Sequence, residues 1–100
     1  NRGDIGTDEF LESTKNHENE MRQIILRYDN LQVPKPFMPS MELFKLSAEA
    51  QLESDKYMIE WIRTGDDSAH IRSDSLLQQS FEYEQAALYE FQLVQSKANP

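Results

Sequence analysis

Between Met41 and Ile62 the charged positions fall on one narrow line. Glu42, Lys45, Glu49, Glu53, Lys56, Glu60 and Arg63 recur every three or four residues, so they share a single stripe of a helix with 3.6 residues per turn. Asp55 is the one charge off that line. The rest of the circumference is apolar or small, including Met41, Leu43, Phe44, Leu46, Ala48, Ala50, Leu52, Tyr57, Met58, Ile59, Trp61 and Ile62. A helix wetted along one stripe must be covered on its other sides by at least two neighbours.

Two further stretches supply them. Phe10, Thr14, His17, Met21, Ile24, Tyr28 and Leu31 alternate at spacings of four and three, a heptad-like seam that is apolar at both ends and polar at Thr14 and His17. Thr7 is a good N-cap, with Asp8 and Glu9 at the positive end of the helix dipole. Residues 1–6 then read as a flexible lead-in, and its Arg2-Gly3-Asp4 tripeptide as a linker rather than an adhesion motif. Pro34, Pro36 and Pro39 mark a corner, since proline cannot continue a preceding helix but is tolerated in the first turn of the next. Gly65 marks a second corner, with Asp66 or Asp67 as the following cap. In the last stretch Ile71, Leu77, Phe81, Leu88 and Phe91 form the expected core seam, with Asp74 and Glu84 on the same spacing and Leu76, Tyr83, Ala87 and Val94 as a flanking row. Gln78, Gln79, Glu82, Gln85, Gln92 and Gln95 make a polar side of low charge.

The pattern predicts an all-α fold, an antiparallel up-down-up three-helix bundle with helices at about 7–30, 38–63 and 67–95. Residues 7–96 form one domain and residues 97–100 a frayed end. Met41, Phe44, Ala48, Ile59, Ile62, Phe81, Leu88 and Phe91 are the expected core.

Composition narrows the function. A chain of 100 residues has room for one core. Its net charge of −8 argues against a nucleic-acid backbone or an anionic membrane as partner. With no cysteine it can form no disulfide, thiolate centre or iron–sulfur cluster. No apolar run is long enough for a transmembrane segment, and no signal-peptide pattern remains. The opening residue is Asn1 rather than Met, as expected of a trimmed or processed chain.

Two groups of residues are candidates for a site. Folding the helices about their corners brings His17 level with Gln51 and Ser54, and these level with Gln79 and Ser80, with Thr14 and Asp55 within about a turn. Thr14, His17, Gln51, Ser54, Asp55 and Ser80 thus form an expected polar layer, either setting helix register or holding a small polar ligand or ion at His17. Leu43, Leu46, Ala50, Tyr57 and Trp61 share one side of the second helix and form a candidate surface for a protein partner or self-association. Metal and cofactor sites have no support: the chain lacks the Glu-x-x-His pairs of di-iron bundles, and His17 and His70 lie far apart. It also lacks a nucleophile elbow and a phosphate-binding loop, so no catalytic residue is assigned and the chain is expected not to be an enzyme.

From Tyr28 to about Leu93 the order of features is telling. Leu31-Gln32-Val33-Pro34 ends one helix, Gly65-Asp66 ends the next, and small residues precede Leu76-Leu77 in the third. This resembles small helical extracytoplasmic domains, often lipoproteins, of Gram-positive bacteria such as bacilli. The resemblance implies export and a lipid tether upstream. It brings no catalytic residues. The expected function is a non-enzymatic extracytoplasmic interaction module, cell-surface or membrane-anchored. The alternatives are a sensor built on the His17 layer and an acidic cytoplasmic inhibitor or phage-type regulator.

Overall fold

Two corners and the choice of buried face organise the chain. The computed structural model describes residues 2–98, with side chains described for residues 7–97. Helix α1 is Arg2–Asn30, α2 is Met38–Thr64 and α3 is Asp67–Ala98, with a 3-10 turn at Lys35–Phe37 leading into α2. No strand occurs among the described residues. The chain is an all-α antiparallel three-helix bundle.

Helix α1 starts ahead of Thr7 and runs through the expected lead-in from Arg2. Gly3 and Gly6 each weaken a helix by about 1 kcal/mol, but neither removes a backbone donor, so neither stops it. At the other end α3 continues to Ala98, through the start of the expected frayed end. Asn1, Asn99 and Pro100 lie outside the described residues.

Both corners follow local chemistry. Pro34 takes φ −55° and ψ 142°, and its carbonyl accepts the Phe37 N–H at 2.9 Å, closing the turn that leads into α2. Gly65 adopts the left-handed φ of 74°, and its N–H caps Trp61 O at 2.7 Å. Asp66 then caps α3, its Oδ1 accepting the Ser68 N–H at 2.9 Å and the Ser68 hydroxyl at 2.7 Å. These bonds hold the exposed Asp66 carboxyl below its ordinary range, with the Ser68 hydroxyl contributing most.

Helix α2 lies between the other two. No Cα of α1 comes within 8 Å of a Cα of α3 among the described residues, while both helices pack on α2. The wet stripe of α2 is exposed as its spacing predicts at Glu42, Glu49, Glu53, Lys56, Glu60 and Arg63. Lys45, half-buried, pairs with Asp29 next to the first corner. On α1 the predicted seam meets α2: Thr14 and Met21 are buried and His17, Ile24 and Tyr28 half-buried. Its two end residues, Phe10 and Leu31, are exposed.

The expected core of α3 is overturned. Phe81 is 56% exposed, Leu88 39% and Phe91 36%, and Ile71 and Leu77 are exposed as well. The face that α3 buries is instead Ala69, Ser73, Ser80 and Ala87, with Leu76, Tyr83 and Val94 half-buried between them. Opposite stand the buried Ser40, Ser47, Ala50 and Ser54 of α2. Small side chains let two helix backbones approach closely, and the approach is sealed by hydroxyls that reach across. Ser47 Oγ donates to Ser80 O and Ser80 Oγ to Ser47 O, each at 2.9 Å. One heptad on, Ser54 Oγ donates to Ser73 O at 3.0 Å, and the two hydroxyls lie 2.8 Å apart. Among the described residues no buried side-chain nitrogen or oxygen lacks a partner. Of the remaining expected core, Ala48 and Ile59 are buried, and Met41, Phe44 and Ile62 are half-buried.

Bulk at the serine seam therefore matters more than bulk at the aromatic row. In dilute solution Phe81→Ala should change stability by about 0.5 kcal/mol or less, whereas a core phenylalanine would cost about 3–5 kcal/mol. Ser73→Leu should cost about 1–3 kcal/mol by wedging the helices apart, and Ser73→Ala about 1 kcal/mol. Urea denaturation of the three variants measures this order, and a Phe81→Ala loss larger than that of Ser73→Leu would refute it.

Candidate functional site

The polar positions of α1 and α2 meet at one point. His17 Nδ1 lies 2.5 Å from Asp55 Oδ2, the imidazole N–H donating to the carboxylate. Asp55 stands off the wet stripe of α2 because it faces α1, and only 8% of it is exposed. Burial pushes its carboxyl above the ordinary range, the bond from His17 pulls it back, and Glu18 adds a small upward push. Thr14 is buried beside this pair, but its hydroxyl donates to its own helix, to Phe10 O at 2.9 Å. A depression between α1 and α2 is lined by Lys15, Glu18, Asn19, Lys56, Ile59 and Arg63, and His17 is not part of its wall.

The expected single layer of Thr14, His17, Gln51, Ser54, Asp55 and Ser80 does not assemble. Thr14, His17 and Asp55 belong to the α1–α2 interface, whereas Ser54 and Ser80 belong to the α2–α3 seam. There they bond Ser73 and Ser47 respectively, so they sit about two turns apart along the helix pair. The turn between α2 and α3 contains only Gly65 and Asp66, which sets Ser54 level with Ser73 rather than Ser80. Gln51 is half-buried on the strip of α2 between the two interfaces.

The candidate partner surface on α2 is also corrected, because α3 covers it. Ala50 is buried, and Leu43, Tyr57 and Trp61 are half-buried. The Trp61 ring stacks on His70 with centroids 4.5 Å apart, and the Arg72 guanidinium lies 5.7 Å from the centre of the Tyr57 ring. Only Leu46, at 39%, is exposed.

The open apolar surface lies on α3 instead. Leu77, Phe81, Leu88 and Phe91 stand about a quarter-turn from its buried seam, on the side turned toward α1. No Cα of α1 lies within 8 Å of a Cα of α3 among the described residues, and helical spacing places the half-buried Phe44 and Met58 of α2 between its two interfaces. Phe91 is held at its end by Phe37, with ring centroids 5.2 Å apart. The signal for this arrangement was present as two arrays of small residues at heptad spacing, Ser40, Ser47 and Ser54 facing Ser73, Ser80 and Ala87.

Among the described residues no group of three His, Asp or Glu side chains is arranged to hold a metal ion, and no helix is long and apolar enough to cross a membrane. Compared with protein-family models, curated proteins and solved structures, the chain matches none.

The buried Asp55 carries a pH signature. Its carboxyl is raised in the folded state, so its contribution to stability is full below the unfolded value and is lost as pH rises through the folded one. Asp55→Asn keeps an acceptor for His17 and has no charge to desolvate. Its stability relative to wild type should therefore improve from about pH 3 to about pH 5, below the range in which histidine titrates. Denaturant midpoints of both proteins across that range test this, and a constant difference would contradict it.

Proposed function

We propose that this chain is a non-enzymatic helical interaction module whose partner surface is the open face of α3. One observation carries the reading: α3 buries Ala69, Ser73, Ser80 and Ala87 and leaves Leu77, Phe81, Leu88 and Phe91 between 36% and 56% exposed. Contiguous apolar patches of a few hundred Å² mark interaction surfaces, because leaving them in water forgoes about 25 cal/mol for each Å². The hydroxyl bonds that join α2 to α3 run through the serine seam and use none of these side chains.

Placement outside the cytoplasm, with a lipid tether upstream, rests on the resemblance carried by Leu31-Gln32-Val33-Pro34 and Gly65-Asp66. A ligand-sensing role for His17 has weaker support, because its Nδ1 is engaged by Asp55 and the depression between α1 and α2 is walled by other residues.

Phe81→Glu tests the reading. The variant should keep wild-type helicity and a stability within about 0.5 kcal/mol in dilute solution. Used as bait in an extract of the source cells, it should lose the proteins that the wild-type chain retains. Equal capture by both baits would remove the α3 face as the partner surface. Fractionation of the same cells tests the tether, which requires the chain in the membrane fraction.

A further inference from the structure

The charge pattern of the α3 face says which partner it suits. The chain carries −8 overall, yet the exposed repeat Asp74, Leu77, Phe81, Glu84, Leu88 and Phe91 holds only two charges, one of them at its end. The row beside them is mostly amide: Gln78, Gln85 and Gln92 follow one another at heptad spacing, with Glu82 between the first two, and all four are exposed. A basic partner would be drawn to acidic flanks. A second copy of an acidic chain needs the opposite, a contact surface poor in charge, and the stretch from Leu77 to Phe91 has one charge, Glu84, on its repeat.

Its order is also self-complementary. Leu77, Phe81, Glu84, Leu88, Phe91 and Gln95 alternate at spacings of four and three, the repeat that coiled coils pair through. An antiparallel copy aligned about Ala86 sets Phe81 against the second copy's Phe91, and Leu88 against its Glu84. The amide rows then match: Gln85 lies beside the second copy's Gln85, and Gln78 beside its Gln92. We propose that the chain self-associates through α3 in this antiparallel, two-fold arrangement. The proposal rests on the reading of the α3 face as the partner surface and names its occupant. Such an interface is isologous and closes at the dimer. Glu84 is its weak point, because two copies bring two carboxylates into an otherwise apolar seam.

The experiment combines solution mass with cross-linking. In sedimentation across a wide concentration range, wild type should rise from 11.7 kDa toward twice that mass. Phe81→Glu should stay at the monomer mass, and Glu84→Gln should associate several-fold more tightly. The chain has no cysteine, so single introduced thiols report position without background. With a short bismaleimide, Gln85→Cys should cross-link to itself. Gln78→Cys should do so only when mixed with Gln92→Cys, and Glu53→Cys on the wet stripe of α2 should not. A wild-type mass that stays at 11.7 kDa throughout overturns the proposal, as does Gln78→Cys cross-linking to itself as readily as Gln85→Cys, which marks parallel pairing. A Glu84→Gln variant that associates more weakly overturns the proposed register. If the chain is monomeric while Phe81→Glu still loses captured proteins, self-pairing falls and the α3 face stands as a surface for another partner. If neither effect is seen, both readings fall.

Discussion

The structure depends on a hydroxyl of one helix reaching the carbonyl of another. Serine within a helix ordinarily bonds back to its own preceding turn. Ser47, Ser54 and Ser80 instead donate across the α2–α3 contact, and they can do so only where the backbones lie close together. The contact is self-enforcing. Small side chains permit the approach, the approach satisfies the hydroxyls, and satisfied hydroxyls make burial of serine tolerable in a low-dielectric interior. The Ser47–Ser80 and Ser54–Ser73 pairs also fix the antiparallel register, since a shift of one residue breaks both.

Every other feature of α3 follows from that choice. A helix that buries Ala69, Ser73, Ser80 and Ala87 must turn its large residues elsewhere. Phe81, Leu77 and Leu88 therefore stand exposed beside the seam. The 3-10 turn at Lys35–Phe37 secures the far end of α3 through Phe37 and Phe91. Apart from Phe91, the apolar row lies beside the hydroxyl bonds that join the helix pair and takes no part in them.

The α1–α2 interface is built differently. Met21, Ile24 and Tyr28 pack on one side of α2, and the His17–Asp55 pair and the Lys45–Asp29 pair complete it. Exposed ion pairs contribute little, and a buried carboxylate opposes its own burial. Among the described residues, moreover, no Cα of α1 comes within 8 Å of a Cα of α3. Local opening should accordingly begin with α1, while the α2–α3 hairpin persists.

The sequence by itself determined the elements and much of how they are covered. The stripe from Glu42 to Arg63, the α1 seam through Thr14 and Met21, the proline corner and the Gly65 turn are local or amphipathic features. Each follows from helical periodicity or from the conformational limits of a single residue. The tertiary structure alone decided which face α3 buries, and with it the place of the candidate site. Hydrophobicity ranks side chains one at a time, and on that scale Phe81 outranks Ser80. Burial of Ser80 becomes favourable only when Ser47 and its carbonyl stand opposite at bonding distance, which is a property of two helices together. For the same reason Tyr57 and Trp61, open to a partner when α2 is read alone, are covered by α3 in the fold. The exposed aromatic row of α3 could be found only after that pairing was known.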